Sequence, residues 1–239
     1  MSMKKGKGFT LVELMIAMAV GLVILSGIYI AVNTTQKHSV AIERKVVAQQ
    51  DVKPALDIMA LEIGMASYNP SAVTGIWVIP TGDCRTPSVN QVYRGIQEAT
   101  ANSIAIEMDI ATGGDGDGAL DDANEVIRYT YEIADQYISR TSSTATACGT
   151  AQPFFGDTVA SGMPRTGKII NNTLGIPVFR YYDSSGAEIA AGGLPANIPN
   201  IRRIDIVLAV ETESMDAKKN EPRKIIYSTS VIPRNHAIQ

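Results

Sequence analysis

The chain has 239 residues, 45% hydrophobic and 19% charged, with a formal net charge of −3. That length suits one ordinary domain with an addition, and the composition is far from that of a disordered chain. The mild acidity argues against a dedicated nucleic-acid binder, which usually shows a basic stripe, so no nucleic-acid partner is evident.

The first element is apolar. Lys4, Lys5 and Lys7 precede the run FTLVELMIAMAVGLVILSGIYIAV, residues 9–32, in which Glu13 is the only charge. Wound as a helix it reaches about 36 Å, enough to cross a hydrocarbon core of about 30 Å. The basic flank keeps the start of the chain in the cytoplasm and exports the residues beyond Val32. A cleaved secretory signal needs a small-residue site after the apolar run, and SGIYIAVNTTQ offers at best a weak one, so the segment reads as retained.

The stretch Gly8-Phe9-Thr10-Leu11-Val12-Glu13 resembles the type IV prepilin signature shared by pilins and the pseudopilins of type II secretion. The resemblance implies that residues 1–8 are a leader, that a prepilin peptidase cuts between Gly8 and Phe9, and that the new Phe9 amine is methylated. It also suggests why an acid sits in this segment. An ionised carboxylate at bilayer depth costs about 2.5–3.5 kcal/mol and is normally retained only where it has a partner. In a stack of such helices, Glu13 of one subunit meets the Phe9 amine of a neighbour, which offsets two burials and fixes axial register. The alternative is that Glu13 merely snorkels to the cytoplasmic interface.

Residues 33–68 read as an amphipathic helix joining this segment to a head, with Val52, Leu56, Met59 and Ile63 on one face and Asp57 and Glu62 on others. Pro54 predicts a kink, or two helices broken near residues 51–53. ALDIMALEIGMASY, residues 55–68, resembles the end of this helix in PilW-like minor pilins, with Ser67 where glycine is common.

From Asn69 the periodicity shifts to two. Residues 103–110, 126–133, 201–211 and 223–232 alternate as half-buried antiparallel strands do, residues 136–140 and 176–183 are further strand candidates, and Asp183–Gly186 is a turn. The fold expected is α+β: a long N-terminal helix laid on the antiparallel sheet of a head spanning 69–239, as in pilins. VFRYYDSSG (178–186) and SVIPRN (230–235) also resemble PilW-like and J-type pseudopilin sequences.

Within the head, Asp115, Asp117, Asp121, Asp122 and Glu125 fall in one Gly-rich loop, the oxygen-rich setting that calcium takes. The fit to an EF-hand is imperfect: with Gly118 as the turn glycine, Gly113 occupies the first ligand position and Glu125 comes one residue late. An acidic, solvated hairpin loop is the alternative. Export favours reading Cys84 and Cys148 as one disulfide over two free thiols, a bridge worth on the order of 3–4 kcal/mol in the chain-entropy model, less any strain. Trp77 and Tyr129, Tyr131, Tyr181 and Tyr182 sit at strand spacing and read as core. Arg202, Arg203, Lys218, Lys219, Arg223 and Lys224, interrupted by Glu211, Glu213, Asp216 and Glu221, read as a mixed-charge solvated face. His38 and His236, the only histidines, read as solvated, and no catalytic motif appears.

The functional expectation is structural rather than enzymatic: a PilW-like minor pilin held in the inner membrane, then assembled to initiate or cap a type IV pilus. Its partners would be prepilin peptidase, other major and minor pilins and the inner-membrane assembly platform. The alternatives are a type II secretion pseudopilin, or a tip module that binds a surface with calcium.

Overall fold

The computed structural model describes residues 9–78, 89–110, 116–156, 167–215 and 222–237. One helix, α1, runs from Leu11 to Gly64. Its apolar first half conceals its few hydroxyls by local bonding. Ser26, Thr34 and Thr35 donate to the carbonyls of Leu22, Ile30 and Ala31 at 2.8, 2.8 and 2.9 Å, so these three hydroxyl hydrogens are not presented to an apolar surround. Pro54 lies inside the helix without breaking it into two. The proline is exposed, and on a solvated face water can take the carbonyl that the missing N–H leaves free. The helix ends where Ser67 adopts φ 66°, the left-handed conformation that stops helical bonding.

The head holds two antiparallel sheets. The first is a meander, β1 (Ile96–Ala99), β2 (Ser103–Glu107), β3 (Val126–Glu132), β4 (Tyr137–Ser143) and β5 (Gln152–Gly156), paired in chain order. In the second, β8 (Arg203–Met215) pairs with β6 (Gly167–Ile169) and β7 (Phe179–Tyr182) along one edge and with β9 (Pro222–Val231) along the other. Two short helices, α2 (Asn171–Leu174) and α3 (Leu194–Asn197), lie between these strands.

The stripe expected on α1 is the centre of the fold. Val52, Met59 and Ile63 are fully buried and Leu56 nearly so, in one cluster with Ile104, Ile106 and Tyr129 of the first sheet and Ile206, Leu208 and Val210 of the second. A second cluster, Ile76, Trp77, Leu120 and Val126, stands apart from it. The sheets are stitched by backbone. Val178 and Phe179 N–H donate to the Ala101 carbonyl, and the buried Tyr131 hydroxyl donates to the Ile169 carbonyl at 2.8 Å. Gly95, just before β1, is glycine for want of space: a Cβ there would lie 2.3–2.5 Å from backbone atoms of Ser67 and Glu107.

Candidate functional site: the N-terminal segment and its junction with the head

Thr10 is the N-cap of α1, with extended φ/ψ of −80°/154°. Its hydroxyl oxygen accepts from the Glu13 N–H at 3.3 Å, while Glu13 Oε2 accepts from the Thr10 N–H at 2.9 Å and from its hydroxyl at 3.0 Å. This is a complete capping box, Thr-x-x-Glu, which satisfies orphan donors at the helix start and holds the carboxylate close to the cap. Phe9 is 88% exposed immediately before it. Gly8 and the leader lie outside the described residues. Beyond the cap, Leu11–Lys37 is a stretch of 27 residues long and apolar enough to cross a membrane, and its most apolar window has no part buried inside the protein. The helix therefore offers an uncovered apolar rod with one acid at its tip, an arrangement that water alone would not solvate.

Where α1 meets the head, a second acid is fixed. Glu62 receives Arg140 as a fork, Nη2 to Oε1 at 2.7 Å and Nε to Oε2 at 3.1 Å, and the Tyr129 hydroxyl donates to Oε2. Arg140 Nη2 also donates to Asn124 at 2.9 Å. Burial, then the Glu62 hydrogen bond, pushes the pKa of the Tyr129 hydroxyl above its ordinary value. This pins the last turns of the stem to β3 and β4.

At the opposite side of the junction the expectation for His236 is overturned. The ring is fully buried, with Nδ1 2.9 Å from Ser67 Oγ and Nε2 2.9 Å from the Ile198 carbonyl. Apolar neighbours and carbonyl partners hold a lone imidazole in a core as readily as water holds it outside. The Ser67–His236 pair looks like a nucleophile and its base, yet both residues are fully buried, so no substrate reaches it. The His38 side chain is outside the described residues.

The acidic loop is only partly drawn together. Asp115 lies outside the described residues, and Asp117 and Asp121 are exposed. Glu125 is buried and staples the loop: Oε1 accepts from Ile110 N–H at 2.9 Å and Oε2 from Asp122 N–H at 2.7 Å. Burial, followed by the charges of Asp122 and Asp109 against opposing amide bonds, raises its pKa. Asp109, which no sequence pattern singles out, is fully buried here. Its Oδ2 accepts from Gly118 N–H at 3.1 Å and its Oδ1 has no hydrogen-bond partner. Among the described residues no three acidic, histidine or cysteine side chains converge as metal ligands do.

Cys148 is half-buried in the turn after β4, and Cys84 lies outside the described residues. The aromatic residues read as core are so for Trp77, Tyr129, Tyr131 and Tyr181. Tyr182 is half-exposed instead, with the Arg203 guanidinium 3.9 Å from its ring centroid, a cation–π contact at the sheet surface.

The chain matches the family model for the prokaryotic N-terminal methylation motif over residues 3–29. No curated protein and no solved structure matches it. The matched segment holds the basic leader, Gly8-Phe9, the capping box and most of the uncovered rod. The motif implies processing by prepilin peptidase and membrane-anchored pilin assembly. Over residues 3–29 the chain thus carries the prokaryotic N-terminal methylation motif, which supports a type IV prepilin-like N-terminus.

Proposed function

We propose that the chain is a minor pilin. It is inserted in the inner membrane with its C-terminus outside the cytoplasm, cut after Gly8, and assembled so as to start or cap a type IV pilus. The observation that carries this reading is the coincidence, within residues 3–29, of the methylation motif with an apolar helix that none of the described residues covers. In this reading, Glu13, positioned by Thr10, meets the Phe9 amine of a neighbouring subunit, and the rod exchanges lipid for the apolar helices of the filament. The resemblance of residues 55–68 to PilW-like proteins favours a pilus over a type II secretion pseudopilus. Cys84 and Cys148 form one disulfide in the exported head.

Intact mass of the non-reduced chain, from membranes and from sheared filaments, tests this. A filament species beginning at N-methylated Phe9, lighter by the two hydrogens of an oxidised cysteine pair, is expected. A chain still bearing its leader and confined to membranes would sink the proposal. Glu13→Ala should insert normally and be recruited poorly; normal co-assembly of the variant would leave Glu13 as an interfacial carboxylate only.

A second reading, that the acidic loop of the head takes up calcium, is favoured by the buried Asp109 Oδ1 that lacks a partner. Calorimetric titration of the full chain in detergent micelles decides it, and absence of heat up to about millimolar calcium, the weak end of natural sites, removes it.

A further inference from the structure

The last turn of the chain, Arg234–Ala237, is organised by the buried ring of His236. A carbonyl only accepts, so Nε2, facing Ile198, carries the ring proton. Nδ1 then accepts from the Ser67 hydroxyl. Ser67 Oγ in turn accepts from the Gly95 N–H at 3.0 Å, and the Arg94 guanidinium donates to the His236 carbonyl. One neutral tautomer thus ties four segments together: the end of α1, the entrance to β1, the turn at Ile198 and the C-terminus.

The charges acting on the ring have one sign. Arg94 stands before β1 and Arg202 before β8. The end of α1 contributes only a hydroxyl and the Ile198 turn only a carbonyl. Glu107, whose backbone carbonyl accepts from Ser67 N–H, turns its carboxyl to Gln97 and the Val78 amide. The turn's own Arg234 is exposed and cationic as well.

We propose that the C-terminal turn is an acid-released latch: uptake of one proton by His236 replaces its acceptor with a second donor, set against the Ser67 hydroxyl and beside Arg94 and Arg202, and frees residues Arg234–Ala237 from the point where the stem enters the head. Burial first, then the two guanidiniums, lower the pKa of His236 from 6.5 to about 4, against the pull of the Ile198 carbonyl. The docked ring therefore binds a proton less readily than the released one. Docking is intact above the released value and is lost as pH falls toward the docked value. Linkage makes the released state on the order of a hundredfold more populated at about pH 4 than at about pH 8.

Hydrogen exchange on the full chain in detergent micelles reads this directly. The Gly95 amide, bonded to Ser67 Oγ, and the His236 amide, bonded to the Pro233 carbonyl, report the latch. The Val207 amide, bonded to the Val178 carbonyl in the second sheet, is the control. Protection at the two reporters should fall on the order of a hundredfold over that range, relative to the control. His236→Gln, which cannot titrate, should show reporters that no longer respond to pH. Equal loss at Val207, no loss at Gly95, or an undiminished response in the variant would overturn the latch. Should the variant not fold, the ring proton of wild-type His236 is followed by NMR. A midpoint near 6.5 refutes the proposal, and one well below it that coincides with the loss of protection supports it.

Discussion

Glu107 and His236 are each almost wholly withdrawn from water, and they impose opposite pH liabilities on the head. Burial holds the Glu107 carboxyl well above its ordinary pKa, against the Val78 amide and the Gln97 side chain. A raised carboxyl binds its proton more tightly folded than unfolded. Its contribution is therefore intact below the unfolded value of 4.5 and is lost as pH rises toward the folded one. Glu107→Gln, neutral at every pH, should stabilise the head more at pH 8 than at pH 4, as read from urea midpoints at the two values; equal gains would show that the carboxyl is not the titrating burden. The Glu62–Arg140 pair makes a different kind of prediction. With side chains only 17% and 20% exposed, it is screened little by solvent. Arg140→Ala strands a half-buried carboxylate and should cost about 2 kcal/mol, in the range for charged hydrogen bonds. A double-mutant cycle with Glu62→Gln checks it, and a coupling near zero would reduce the pair to surface decoration.

Pro54 is the instructive case at the level of the element. A proline inside a helix costs about 3 kcal/mol relative to alanine, and here the helix continues through it because the buried stripe on its other side is held by both sheets. Pro54→Ala should accordingly raise the unfolding midpoint of the head while leaving helix content by circular dichroism unchanged; a gain in helicity would mean that the native helix is interrupted there after all. The stripe itself was legible because 3.6-residue periodicity survives to the end of α1. Strands β3, β8 and β9 were legible because one face alternates with the other. β1 escaped notice because Gln97 and Glu98 stand side by side in it, so no apolar–polar alternation marks it although all four of its residues are buried. The capping box is written in Thr10-Leu11-Val12-Glu13, but an acid inside an apolar run reads first as a membrane charge. The burial of His236 left no trace in local sequence. It arises from contacts with Ser67 and Ile198, which lie 169 and 38 residues away along the chain. Ser67 is the exception in which a local clue did exist. The PilW-like stretch usually has glycine at that position, and the observed φ of 66° is one glycine adopts without strain. Ser67→Gly should keep α1 terminated in place yet expose Gly95 N–H to exchange, since the hydroxyl that accepts it is gone; a Gly95 amide still fully protected would mean another acceptor takes over.

At the scale of the whole molecule, α1 is one unbroken rod of about 80 Å whose two halves answer to different solvents. Its distal part is completed by the head, and its proximal part by none of the described residues. Phe9, Leu11, Leu22, Val23 and Tyr29 are all at least 66% exposed. Each square ångström of such surface disfavours water by about 25 cal/mol, so a free aqueous subunit is strongly disfavoured. In the pilin reading proposed above, this leaves no waiting state between lipid and partner. A subunit of that kind would leave the bilayer only along a path on which other apolar surface replaces the lipid as fast as it is withdrawn, so that departure from one and arrival at the other become a single event.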